Sequence, residues 1–556
     1  MSAPSPSLTD RIAALPACDK NLTRGLFGAA LFALALGVGF GWLTALGRAG
    51  VAVFEPQTAA RLLTLHGVTV FFYWLYLAQA ALLLVLAAAE RDGGGLALRP
   101  LAWIGGALML AGFAVSEIAS LVGTPLLYDG GPALGRDDPA AVGWFSLGYL
   151  LLGAGLAASS ASAIATVIAR RADGAGGALS AVGFALFAWA GFLVVSAIAS
   201  VNAFLPSVLW ALGLGAFPAN QPTEWHILFH NLHYLPLMAT VVVWYVLVQA
   251  LTGVSSMHGA RFSKIVFASY LLFVPPTSLY HMFLEPNLAE SVRVVGSLLS
   301  LFVAVPTVMA FLIIVSSLEA HGRSQGVSGR LGWIGALPWA NPVMPAIACA
   351  ALNLGLGLTF AFVLIEEKLA PLLSDTFFVP GYFHFFAVGT VSLSFLAAMM
   401  AVLPALTGAS PWRPGLLRHM PAVISAGLLI FGAAGIAAGF AGVPRRTFDI
   451  GYGGEAPALW HTLMAGVGLG GTLFAAGLSV LVFGVARSLL ARRREGAAAP
   501  PRVAWGDAPP RPGVAAWVGP AAVIVTVAAM ALFTVVAFEL MHALPLIASG
   551  GGGHSH

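Results

Sequence analysis

Charge is what this chain has least of. Only 9% of its 556 residues are Asp, Glu, Lys or Arg, against about 25% in an ordinary soluble domain. So few ionised groups cannot clothe a water-facing surface of this size, which excludes a soluble enzyme. Cysteine is almost absent. Cys18 sits in the N-terminal tail and Cys349 inside an apolar run, too far apart to pair, which excludes a disulfide scaffold, a thiolate metal site and a cysteine-bound dicopper centre. The first twenty-odd residues are polar and show no short apolar core with a small-residue cleavage site, so the first apolar segment itself is expected to direct insertion. The formal charge of +4 is scattered over connections and forms no basic patch, which argues against nucleic acid as a partner.

What the chain does have is apolar length. Hydrophobic residues make up 59% of it. Runs of about 20 residues or more, enough to cross a bilayer, recur near 27–46, 60–89, 101–123, 143–169, 178–204, 226–252, 264–284, 293–317, 334–364, 378–406, 420–442, 457–486 and 514–547. They predict an all-α integral membrane protein of about 13 transmembrane helices. Arg11, Lys20, Arg24, Arg91, Arg99, Arg170, Arg171, Arg261, Lys264, Arg323, Arg330, Arg413, Arg418 and Arg492 to Arg494 fall before helix one or in alternate connections. By the positive-inside rule that face and the N-terminus are cytoplasmic, and the C-terminus lies outside. The expected organisation is a cytoplasmic tail at 1–25, a core of about twelve helices at 26–486, a cytoplasmic linker at 487–512, a last helix at 513–548 and a flexible outer tail at 549–556. Acids such as Asp129, Asp137, Asp138, Asp375 and Asp449 collect in the opposite loops. They suit a basic, soluble electron donor, or reflect a basic side reserved for Lys and Arg.

Ionisable groups inside a bilayer are tolerated mainly where they face a cavity, a partner or a metal. His66, in "LTLHGVTVFFYW", and His384, in "VPGYFHFFAVGT", lie about two turns inside the same face, and neutral imidazole is a common iron ligand. His230, with Tyr234, Tyr280, His281 and Tyr382, falls near that depth on other helices. A lone intramembrane histidine is as readily explained by a bond to a backbone carbonyl; several converging at one depth favour a redox site. His226, His230 and His233, at i, i+4 and i+7, share one broad helical face, which suits copper; His226 and His233 could equally reach the aqueous end. Arg445 and Arg446, in "GVPRRTFD", stand just above and could pair with carboxylates of a prosthetic group or with lipid headgroups.

With "LTLHG" at 63–67, His230 followed by Tyr234, "FVAVP" at 302–306, "ALPWANP" at 336–342, "VPGYFH" at 379–384 and "VPRR" at 443–446, the chain resembles subunit I of the haem-copper oxidases, in the B-type cytochrome c oxidase branch, over nearly its whole length. The resemblance implies the helix arrangement of that subunit in the inner (plasma) membrane of a bacterium. It implies His66 and His384 as axial ligands of a low-spin haem, expected to be b type, and Arg445 and Arg446 as its propionate partners. It implies His230 and His281 as copper ligands and Tyr234 as a source of an electron and a proton. Three departures cluster at the reductive centre. Tyr280 replaces a copper-ligating histidine, Tyr382 replaces the ligand of the high-spin haem, and Ser374 replaces a histidine beside that haem's propionate.

Either Tyr382 ligates iron as a phenolate, or the high-spin haem is absent and the cavity holds something else or only packed aromatics; separately, His233, one turn from His230, could restore a third copper ligand. Of the hydroxyls on the branch's proton path, Tyr245 and Thr307 are present, while Ala310 stands for a threonine. The implied function is electron transfer from a cytochrome c type donor, with further oxidase-type subunits on the outer face, to oxygen or nitric oxide. The alternative is a non-catalytic electron-transfer subunit that keeps the low-spin haem. A transporter is disfavoured by the scarcity of charge at mid-membrane.

Overall fold

The computed structural model describes residues 7–91, 94–127, 132–172, 179–219, 221–254, 258–274, 290–365, 369–447 and 454–491. Through these described residues run twelve helices of at least 15 residues: α1 Ala17–Arg48, α2 Pro56–Glu90, α3 Arg99–Val122, α4 Pro139–Ala172, α5 Ala181–Ala211, α6 Gln221–Thr252, α7 Gly259–Phe273, α8 Glu290–Ser324, α9 Val343–Ile365, α10 Phe378–Thr407, α11 Met420–Phe440 and α12 Ala458–Leu489. All but α7 contain a stretch long and apolar enough to cross a membrane. Lipid offers no hydrogen bonds, so a spanning backbone must satisfy itself, and helices do so segment by segment. Among the described residues the chain has no strand beyond an isolated bridge between Thr376 and Pro444. The last expected helix and most of the linker before it lie outside the described residues.

Helix ends extend past the apolar runs because polar residues carry them to the interfaces. α1 begins at Ala17 rather than 27, with Asp19, Lys20 and Arg24 in its first turns. The single helix expected over 334–364 is instead a short turn at Gly332–Gly335 followed by α9 from Val343. Pro338 and Pro342 lie between them; a proline disfavours helical backbone at the residue before it and supplies no amide donor.

Most sequential helices pack against one another, α7 packs on α5 and α8 rather than on α6, and α12 returns against α1. The apolar stretch of α2 is almost wholly enclosed, with Phe72, Tyr73, Trp74 and Tyr76 inaccessible or nearly so. Small residues allow the closest crossings. A Cβ on Gly381 of α10 would lie 2.7 Å from the Ile436 amide of α11. On the arginine-rich face, buried carboxylates are paired: Asp19 with Arg99, Glu90 with Arg170 at 2.7 Å and Glu319 with Arg323 at 2.6 Å.

Candidate functional site

α2 and α10 bring His66 and His384 together from positions more than 300 residues apart in the chain. Their rings are 6.3 Å apart between centres and within 8° of parallel. His66 Nδ1 lies 2.8 Å from the Gly37 carbonyl oxygen of α1, and His384 Nδ1 lies 2.7 Å from that of Pro380. A carbonyl only accepts, so each Nδ1 carries the proton and each Nε2 keeps a free lone pair. An imidazole nitrogen binds a first-row metal at about 2.0–2.1 Å, and ring bonds of about 1.35 Å put each atom about 1.15 Å from the ring centre. One ion in line between two such rings therefore sets their centres about 6.3–6.5 Å apart. The observed spacing fits a shared metal.

Both helices change winding immediately beyond these residues: Val68–Trp74 and Phe385–Ser392 are π-helical. Wide turns of this kind gather at functional positions, where they re-aim side chains. α1 comes close through glycine. A Cβ on Gly41 would lie 2.5 Å from His66 Cε1 and 2.6 Å from its Nδ1, and one on Gly37 would collide with Val70. The His384 ring rests on Phe431 of α11, with centres 4.6 Å apart, and is 5.9 Å from Phe474 of α12.

His66 and His384 line a mainly apolar cavity of about 210 Å³, bordered also by Val38, Trp74, Phe383 and Val467. Arg48 and Arg445 stand on its wall. The connection bearing Arg445 is clamped from several sides. The Phe377 amide donates to the Val443 carbonyl and the Arg445 amide to that of Asp375, at 2.7 and 2.9 Å. The Arg48 guanidinium, buried at the end of α1, donates to the Pro444 and Arg445 carbonyls, and the Trp460 indole donates to Ala441 at 2.8 Å. Arg445 also meets the exposed Asp375 carboxylate at 3.2 Å. Two fixed guanidinium groups over an apolar cavity make one end of it attractive to carboxylates. Arg446 is exposed.

The other candidates are placed as follows. The His233 ring lines this same cavity, edge-on to Phe383 at 4.2 Å, Phe229 at 4.8 Å and Phe71 at 5.4 Å. Tyr382 lies between Phe378 and Phe386, at 5.7 and 6.3 Å. Tyr234 packs against the core from α6. His230 belongs to α6, but its side chain, like the whole of Tyr280 and His281, lies outside the described residues. Among the described residues no three His, Cys, Asp or Glu groups cluster as a metal site. The hydroxyls expected along a proton path are bonded in pairs, Tyr245 with Ser263 at 2.8 Å and Tyr270 with Thr307 at 2.9 Å.

Three features escaped the sequence reading: the carbonyl anchors, the π-helical turns and Arg48. The last had a signal, since an arginine closing an apolar run on the face otherwise poor in cations departs from the positive-inside rule.

The chain matches the family model described as cytochrome c and quinol oxidase polypeptide I over residues 21–473. It is 29% identical over 307 residues to cytochrome c oxidase subunit 1 of Thermus thermophilus, a match covering 54% of each chain. The aligned part is thus about half the length of that relative. Its fold is similar to that of a heme-copper terminal oxidase dimer solved by cryo-electron microscopy, with a TM-score of 0.79 and 19% identity over 95% of this chain and 92% of the other.

Proposed function

Because this chain belongs to the cytochrome c and quinol oxidase polypeptide I family, we propose that it is the electron-carrying subunit of a respiratory oxidoreductase, with His66 and His384 as the axial ligands of one low-spin haem. The observation that carries this reading is the 6.3 Å separation of two parallel imidazoles whose Nδ1 protons are already committed. Haem supplies reversible one-electron storage at that point. The protein does the rest. The carbonyls of Gly37 and Pro380 fix tautomer and ring direction and raise the basicity of each Nε2. Phe431, Phe474 and Trp74 exclude water, and Arg48 with Arg445 offers guanidinium groups to propionates. A cytochrome c type donor would approach the face that carries Arg445 and the acidic loops.

In this proposal the acceptor is oxygen or nitric oxide. His230, His281 and Tyr234 serve a copper centre, and the Tyr245–Ser263 and Tyr270–Thr307 pairs carry protons toward it. Two placements favour the second reading, an electron carrier without a reductive centre. The His233 ring is packed among phenyl groups on the low-spin side, and Tyr382 sits between two phenylalanines. Haem and copper analysis of the purified protein separates the two. Two haems, one copper and a spectrum altered by carbon monoxide support the reductase; one six-coordinate haem indifferent to carbon monoxide supports the carrier. Absence of haem refutes both.

A further inference from the structure

Glu117 is the one acid in α3, half-buried five residues before the helix ends. Its Oε1 is 2.5 Å from Thr69 Oγ1, and Thr69 sits three residues beyond His66 at the start of the π-helical turn. The same Thr69 Oγ1 is 2.6 Å from the Leu65 carbonyl oxygen. A hydroxyl has one proton and a carbonyl has none to give, so two full-strength contacts need a second proton. The carboxyl can supply it: Glu117 O–H donates to Thr69, and Thr69 donates to Leu65. The surroundings favour the neutral acid as well. Among the described residues no cationic side chain pairs with Glu117, and an unpaired carboxylate is costly in a bilayer.

The charged groups on the packed elements form no ion pair with Glu117, although Tyr73 lies near enough to feel its charge. Arg61 of α2 donates to the Leu121 and Gly123 carbonyls, and Tyr73 meets Ser116 and the Gly148 carbonyl. Arg48 of α1 holds the 444–445 carbonyls, and Tyr149 of α4 is enclosed by Phe72 and Phe204.

Resting on the low-spin haem reading above, we propose that Glu117 is a proton store for that centre. It holds its proton while the pocket of His66 and His384 holds an electron, and releases it when the electron leaves. Per electron passed to the acceptor, one carboxyl O–H bond breaks, the carboxylate remains, and one proton goes to water at the nearer face, about 7.5 Å along the helix. The charge gained between the imidazoles, one helical turn from Thr69, compensates the carboxylate.

The test is redox titration of the purified full-length protein across pH, followed at the haem band, together with redox-difference infrared spectra, for wild type and Glu117→Gln. Glutamine keeps a donor toward Thr69 and cannot ionise. Wild type should show a potential that falls as pH rises, approaching about 59 mV per tenfold change in proton concentration, and a redox-linked carboxylic acid band. Glu117→Gln should lose both while keeping its haem. A potential independent of pH in a wild-type protein that carries bis-histidine haem overturns the proposal alone, and so does an equal slope in the variant. A wild type without haem overturns the functional reading and this proposal together. Where the variant fails to assemble, a wild-type potential independent of pH or a wild type without a redox-linked carboxylic acid band still overturns the proposal, and Glu117→Asp, which keeps the acid, should retain both.

Discussion

Gly41→Ala places one methyl group where the imidazole of His66 lies. The new Cβ would be 2.5 Å from Cε1 and 2.6 Å from Nδ1, whereas carbon atoms prefer about 3.5–4.0 Å, so about 1 Å must be found. α1 cannot yield easily, because Gly37 is itself pressed on Val70 and its carbonyl bonds His66. The ring must turn, losing its bond to Gly37 and its aim at the shared metal. Overpacking of this kind costs about 1–3 kcal/mol, or about 5- to 150-fold in an equilibrium constant. We expect haem retention to weaken by that factor and the six-coordinate spectrum to fade, measured as haem per chain and as the rate of haem loss to an excess of apo-globin. Haem content and spectrum identical to wild type would refute the argument that His66 is held against Gly41.

Arg445→Leu removes a cavity-wall guanidinium, and a hydrogen bond to a charged group contributes about 1.5–3 kcal/mol. Haem loss should quicken by about ten- to a hundredfold and the haem potential should fall, read by absorbance and redox titration. Ser392→Ala leaves the buried Trp74 indole N–H, now 2.9 Å from the Ser392 hydroxyl, without its acceptor; at about 1–3 kcal/mol the melting temperature in detergent should drop. Asp138, before α4, accepts from the Ala141 amide and from Thr124, which holds its carboxyl below the ordinary value. Its contribution is present above about pH 4 and lost as pH falls through the lowered value. Asp138→Asn should flatten the acid limb of the stability profile below about pH 4 and lower stability near pH 7, with variant and wild type converging in acid.

Much of this was legible because lipid imposes strict rules. Apolar runs of spanning length marked the helices, and His66 and His384 stood out because ionisable groups there are rare. The features that aim them were not legible. The Gly37 and Pro380 carbonyls are backbone atoms, and the wide turns after each histidine arise from packing, with no residue type that announces them. Gly41 could not be told from the chain's other glycines without knowing what lay above it. The break before α9 was written in Pro338 and Pro342 but outweighed by a continuous apolar run. Nothing in the sequence marks Glu117, because its pairing with Thr69 across α2 and α3 exists only in the folded chain.

The central claim is that His66 and His384 grip one iron. Electron paramagnetic resonance and near-infrared magnetic circular dichroism of the oxidised protein test it most directly, because both report axial ligands. The account predicts a low-spin ferric haem with two neutral imidazoles, lost in both His66→Ala and His384→Ala. Any other ligand pair in wild type, or survival of the bis-imidazole signal in either variant, would contradict it.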